Sequence, residues 1–219
     1  MDLILAANWF DQTFSGFDYS ILYFMHRIGE ITQYKITAFW EFISVIGEAG
    51  LGLLGLSIIL MALSFMPFVF KNNPEKRKIL FWCGLTEFLA MGIGFLITNK
   101  LIKVNVNRPR PYIDPEGIYR EWWSLVGAHL DSEASFPSGH TTAATGAMTP
   151  LFFYYKKKYS WTAFIFVMLM GMSRMYLMMH YPSDILGGFI VGFTASVIAY
   201  FICKLIRMNL KEYKKNPSS

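Results

Sequence analysis

Apolar residues in this chain gather into five runs, at residues 50–70, 79–102, 141–155, 161–172 and 185–206. A helix of about twenty predominantly apolar residues crosses the hydrocarbon core of a bilayer. Each run therefore predicts a transmembrane helix, the fourth by extension towards Met179. The third is short and opens on Thr141-Thr142-Ala143-Ala144-Thr145-Gly146-Ala147, small residues that let helix backbones approach closely. Gly187, Gly188 and Gly192 in the fifth predict further points of close contact. Residues 8–28 and 33–47 follow another pattern. In the first of them Asp11, Asp18, His26 and Arg27 interrupt apolar positions such as Phe14, Phe17, Ile21 and Leu22. Both stretches predict amphipathic helices lying in the membrane interface, where aromatic residues are at home. The expected fold class is all-α: a polytopic membrane helix bundle with about five transmembrane helices plus N-terminal interfacial amphipathic helices. Along the chain this gives an N-terminal segment 1–48, a membrane-embedded core 49–206 and a tail 207–219.

Composition sharpens that picture. Of 219 residues, 54% are hydrophobic, 17% aromatic and only 16% charged, with mean hydropathy +0.36. Those values belong to a single-domain polytopic membrane protein. The formal net charge of +5 would suit a nucleic-acid partner, but its distribution does not. Segment 71–78 holds four cations and one anion, 156–158 three cations, and the chain from Lys204 onward five cations and one anion. Residues 103–140 hold four cations against five anions, and residues 1–48 two against six. By the positive-inside rule the basic segments and the C-terminus are cytoplasmic, and the 103–140 connection faces outward. The expected location is the cell membrane, with no nucleic-acid partner. Residues 1–16 carry two aspartates and no basic stretch, so no cleavable signal peptide is expected. Cys83 and Cys203 fall inside apolar runs and read as packing residues, neither disulfide-bonded nor metal-ligating.

Chemistry concentrates between the runs. From Ser173 to Asp184 the chain reads Ser-Arg-Met-Tyr-Leu-Met-Met-His-Tyr-Pro-Ser-Asp. His180 precedes Asp184 by four residues, with Pro182 predicted as a first helical residue. A carboxylate so placed can bond one imidazole nitrogen and leave the other free to attack. Arg174 ends an apolar run, where a cation is costly unless it holds an anion. Lys103, Arg108 and Arg110 follow the second run, and Ser138, Gly139 and His140 precede the third. A transferring phosphoryl group spreads charge over its equatorial oxygens, which cations with bidentate donors stabilise. The Ser138 side chain and the Gly139 N–H, at a helix start, would add anion-binding donors.

Around these residues stand others with plainer readings. Arg108 reads as a lipid head-group contact. Glu87 reads as a functional candidate, or as paired with Lys100 or with a backbone partner inside the bundle. Trp122 and Trp123 read as an interfacial belt or as one wall of a lipid-tail entrance. His26 reads as a surface histidine, and the methionines between Met168 and Met179 read as packing material.

Lys103-x6-Arg110-Pro111, then Pro137-Ser138-Gly139-His140, then Ser173-Arg174-x5-His180-x3-Asp184 resemble the three-part signature of the type-2 phosphatidic acid phosphatase superfamily. The resemblance covers residues 40–205. It implies that His180 is the nucleophile forming a phosphohistidine, that Asp184 orients it, and that His140 is the acid and base. It also implies that Lys103, Arg110, Ser138, Gly139 and Arg174 bind the phosphate. Three cations stand in place of a metal ion, so neither metal nor cofactor is expected. The implied activity is hydrolysis of a phosphate monoester or diphosphate of a membrane lipid at the outer face. Undecaprenyl diphosphate, phosphatidic acid and phosphatidylglycerol phosphate are the candidate substrates, and the bilayer itself is the expected partner. The rivals are a phosphatase of soluble esters, as in glucose-6-phosphatase, and a catalytically silent lipid-binding or transport protein.

Overall fold

Three helix starts follow from local sequence. Asn73 caps α4 (Pro74–Phe95), its side chain accepting from the Lys76 N–H at 3.0 Å, with Pro74 at the first helical position. Ser138 caps α7 (Gly139–Met148) in the same way, through the Thr141 N–H. Pro182 opens α11 (Pro182–Lys215), and the carboxylate of Asp184 reaches back to the Tyr181 N–H at 2.9 Å. That return bond is one half of a capping box.

The computed structural model describes residues 2–47, 50–66, 68–113, 117–131 and 133–215. Its described elements are helical throughout. Besides those above they are α1 (Asp2–Ile31), α2 (Thr37–Ile46), α3 (Leu51–Phe65), α5 (Lys103–Val106), α6 (Ile118–Val126), α8 (Pro150–Tyr154), α9 (Lys157–Ser160) and α10 (Thr162–Tyr176). Helices α4, α7 and α11 pack against one another at the centre, with α3 against α4 and α10 between α7 and α2. The expected small-residue contacts are present. A Cβ on Gly188 would meet the Ser138 carbonyl oxygen at 2.6 Å, and one on Gly192 the Thr142 carbonyl oxygen at 2.5 Å.

Helices occupy all five apolar runs. Among the described residues two are long and apolar enough to cross a membrane alone, within Pro74–Ile113 and Pro182–Leu210. A third span results if α2 and α3, bent by 50° relative to each other, are counted together. Helix α10 is apolar but shorter, and the third run divides into α7 and α8 ahead of Pro150. The last four residues of the expected tail lie outside the described residues.

Two features of the fold shape the site. The first is a π-helical stretch, Leu96–Ile102, that continues α4 into α5. Phe88, Met91, Phe95 and Thr98 form one stripe of this rod, three or four residues apart. Regular helix would bring Ile102 next onto the stripe; the wider turn advances it by one residue and brings Lys103 there. The second is α1, which packs against α5, α10 and α11 and buries Asp18, Leu22, Met25 and Gly29 along one face. Leu22 and Met25 join Trp122 and Met178 in one apolar cluster.

That cluster corrects the reading of the tryptophan pair. Trp122 is buried and stacked on His26, ring centroids 4.5 Å apart, and Trp123 packs on Tyr112. They fasten α6 to its neighbours and form no wall of the cavity described below.

Candidate active site

One cavity of about 860 Å3 brings the three sequence clusters together. Lys103, Arg110, Gly139, His140, Arg174 and His180 all line it. Ser138 and Asp184 do not; both are fully buried behind the lining. The Ser138 hydroxyl oxygen faces Thr141, accepting from its N–H and its hydroxyl, and the Ser138 N–H donates to the Asp184 carbonyl at 3.1 Å. The lining also includes the apolar side chains of Val45, Leu51, Leu54, Phe88, Met91 and Phe95.

His180 lies in the short connection between α10 and α11. The Arg174 carbonyl oxygen holds that connection by accepting the Met179 N–H at 3.0 Å. The two ring nitrogens of His180 face different partners. Nδ1 lies 3.4 Å from Asp184 Oδ2 and 3.4 Å from Ser135 Oγ, while Nε2 lies 3.4 Å from Arg110 Nη1. The Ser135 hydroxyl donates to the same Asp184 oxygen. A carboxylate at Nδ1 favours the tautomer protonated there, leaving the Nε2 lone pair towards Arg110 and the cavity.

The cations are held by anchors that motif spacing did not identify. Arg174 Nη1 donates to Ser44 Oγ on α2, next to a bond from Ser173 Oγ to the Trp40 carbonyl at 2.7 Å. Arg110 donates through Nη2 to Asp131 Oδ2 at 2.6 Å, through Nε to the Glu133 carbonyl at 2.8 Å and through Nη1 to the Met179 carbonyl at 3.1 Å. Lys103 pairs with the Glu133 carboxylate. Two carboxylates of one loop thus stand on two of the three cations, and both line the cavity. Sequence reasoning counted Asp131 and Glu133 only as net charge, because nothing in their spacing joins them to Lys103 or Arg110.

Arg108 requires the largest correction. It is 1% exposed, too deep to touch a lipid head group. Nε donates to Asp11 Oδ1 at 2.8 Å, Nη2 to Asp18 Oδ2 at 2.8 Å and Nη1 to Asp184 Oδ1 at 2.7 Å. Its guanidinium carbon lies 3.9 Å from the Tyr181 ring centroid. The apolar-run argument places Arg108 at a membrane edge; the buried carboxylates reach it from α1 and α11, which the chain alone does not bring together.

Electrostatics favour neutral imidazoles here. Burial pushes His180 well below the usual histidine range, and the charges of Arg110, Arg174 and Lys103 push the same way. Burial likewise lowers His140, reinforced by Arg174, His180, Arg110 and Lys103. Burial alone would raise the Asp131 carboxyl. The Glu133 N–H, Arg110 and Lys103 outweigh it and hold that group below the usual carboxylate range. Glu87 lies away from this cavity, buried at 2% exposure, its Oε1 accepting from Cys83 Sγ at 3.4 Å rather than pairing with Lys100. Among the described residues no group of three or more His, Cys, Asp or Glu side chains is placed to hold a metal ion.

Comparison with known proteins gives the chain its family. The profile of the PAP2 superfamily matches residues 84–207, more than half of the sequence, and the chain belongs to that superfamily. It is 30% identical over 151 residues to the undecaprenyl-diphosphatase BcrC of Bacillus subtilis, covering 69% of this chain and 72% of that protein. It is also 30% identical over 145 residues to phosphatidylglycerophosphatase B of the same organism, covering 61% of this chain and 63% of that one. Among solved structures, the first transmembrane PAP2-type phosphatidylglycerolphosphate phosphatase from Bacillus subtilis matches with TM-score 0.45 and 21% identity, over 88% of this chain and 94% of that one. The chain is a membrane phosphatase of the PAP2 type.

Proposed function

We propose that this PAP2 phosphatase hydrolyses a polyprenyl diphosphate at the outer membrane face, through a phosphohistidine on His180. The observation that carries the reading is the mixed lining of the cavity. Lys103, Arg110, Arg174 and both histidines line it together with apolar side chains of α2, α3 and α4. A soluble sugar phosphate has nothing to bury against Leu51, Leu54, Phe88 and Phe95, whereas a lipid tail, as apolar as these side chains, can lie against them without exposing either to water. The relative with the greater coverage of its own length is an undecaprenyl-diphosphatase, which favours a diphosphate over a glycerolipid monoester.

In this reading the cations bind the terminal phosphate and displace the Asp131 and Glu133 carboxylates. The His180 Nε2 lone pair forms a bond to phosphorus as the bond to the bridging oxygen breaks. Asp184 holds the Nδ1 proton as positive charge develops on the ring. His140, favoured neutral by burial and the nearby cations, gains a proton once the substrate's negative charge offsets Arg174 and Arg110, and gives it to the leaving oxygen. It then takes a proton from the water that cleaves the N–P bond, releasing phosphate.

The test is phosphate release by the detergent-purified protein on undecaprenyl diphosphate, phosphatidic acid, phosphatidylglycerol phosphate and glucose 6-phosphate. The expected result is the highest kcat/KM on the polyprenyl diphosphate. A higher value on either glycerolipid would move the substrate class, and one on glucose 6-phosphate would overturn the lipid reading.

A further inference from the structure

We propose that Asp18 and Arg108 are positioning residues of the reaction, holding the Asp184 carboxylate against His180, so that helix α1 is part of the catalytic unit. The proposal rests on the assignment of His180 as nucleophile and Asp184 as its partner. Asp184 has no exposure, and its two oxygens are divided between two tasks. Oδ2 faces His180 Nδ1, the Ser135 hydroxyl and the Tyr181 N–H. Oδ1 accepts from Arg108 Nη1, which also donates to Ser183 Oγ at 2.7 Å. Arg108 therefore sets the rotation of the carboxylate about its own axis.

What fixes Arg108 comes from the N-terminal helix. Asp18, 1% exposed, accepts from Arg108 Nη2 and also from the Ser183 N–H at 2.9 Å and the Ser183 hydroxyl at 2.7 Å. Ser183 is the residue before Asp184, so one carboxylate on α1 grips both the guanidinium and the first turn of α11. Asp11 adds a third, half-exposed carboxylate to the same guanidinium. Burying an arginine among carboxylates costs desolvation that ion pairing barely repays, so the arrangement is poorly explained as a stabilising device alone. Its geometry is explained by the need for one orientation of Asp184. Neither Asp18 nor Arg108 lines the cavity, so neither contacts the substrate.

The experiment is a double-mutant cycle on steady-state turnover of the purified protein, with Asp18→Asn, Asp184→Asn and the pair, on its best lipid phosphate. Asp18→Asn is expected to lower kcat by about tenfold, the scale of lost outer-layer support, with KM unchanged. In the Asp184→Asn background the same change should cost less than about twofold, because the residue it acts through is gone. Arg108→Lys, which keeps charge but serves fewer carboxylates, should fall between wild type and Arg108→Met. Equal losses in both backgrounds, a rise in KM with kcat unchanged, or no loss would each overturn the proposal. Wild-type kcat in Asp184→Asn would overturn the underlying assignment instead. If Asp18→Asn does not fold, Ser183→Ala carries the cycle: it removes one of Asp18's contacts, and its loss of kcat should likewise vanish in the Asp184→Asn background. Loss of kcat in Ser183→Ala that persists there would overturn the proposal.

Discussion

Asp131 Oδ2 lies 2.6 Å from Arg110 Nη2, on the guanidinium whose Nη1 is 3.4 Å from His180 Nε2. A protein carboxylate thus stands where a substrate phosphate would need the arginine's bidentate fork. Glu133 does the same to Lys103. These pairs spare two buried cations the cost of standing alone, and a bound phosphate would have to compete with them.

Competition of this kind is measurable. Asp131→Asn removes the negative charge and keeps the shape, so anions should bind Arg110 more tightly. The expected outcome is a fall of about tenfold in the inhibition constant of vanadate or inorganic phosphate, equivalent to about 1.4 kcal/mol. Glu133→Gln should act in the same direction and more weakly, since its side chain is 61% exposed against 31% for Asp131. Weaker anion binding in Asp131→Asn would mean that the loop serves to hold the arginine in place and does not compete with the ligand.

The two histidines should separate by leaving group. His180→Ala is expected to abolish turnover and phosphoenzyme on every substrate. His140→Ala should slow phosphoenzyme formation by about 10²–10⁴-fold on an alkyl phosphate and little on a nitrophenyl phosphate, whose leaving oxygen needs no proton. With the aryl substrate it should give a burst followed by slow turnover, because water must still be activated. Rapid-quench detection of the phosphoenzyme reads both. A burst surviving in His180→Ala and lost in His140→Ala would reverse the assignments.

Acid should weaken the folded protein. His180 and His140 are lowered in the folded state, chiefly by burial, so below the ordinary histidine value of about 6.5 the unfolded chain binds protons that the folded one does not. Their contribution is complete above that value and declines as pH falls towards the folded values, by up to about 1.4 kcal/mol per pH unit for each ring. Thermal midpoints in detergent from pH 8 to pH 5 should therefore fall, and fall less in His140→Gln. Bound vanadate should flatten the slope as well, since its charge offsets the cations. An identical slope in wild type and His140→Gln would show that this ring is not held neutral.

Sidedness can be read in intact cells. With Cys83 and Cys203 replaced, a cysteine at Leu130, in the outward connection, should react with an impermeant thiol reagent. One at Asn72, beside the basic segment 71–78, should react only after the membrane is opened. The reverse pattern would invert the orientation inferred from charge.

Much of the site was legible along the chain because its chemistry sits at helix ends. Ser138 before α7, and Asp184 three residues into α11, obey capping rules that act within four residues. The apolar runs marked where helices form, since the period and length of apolar residues are local properties, and the small residues of α7 and α11 marked where two of them touch. Three things were decided only by tertiary structure. Lys103 reaches the cavity stripe through a π-helical stretch, a change of register whose cost and benefit depend on what packs around it. Asp131 and Glu133 meet Arg110 and Lys103 across a connection of more than twenty residues that includes α6, a pairing set by how that connection closes and not by spacing. Arg108 looked like a membrane-edge cation because a local reading sees only the apolar run before it. Its partners Asp18 and Asp184 lie 90 residues before it and 76 after it, and only the docking of α1 on α11 supplies the buried carboxylates that a guanidinium needs to leave water.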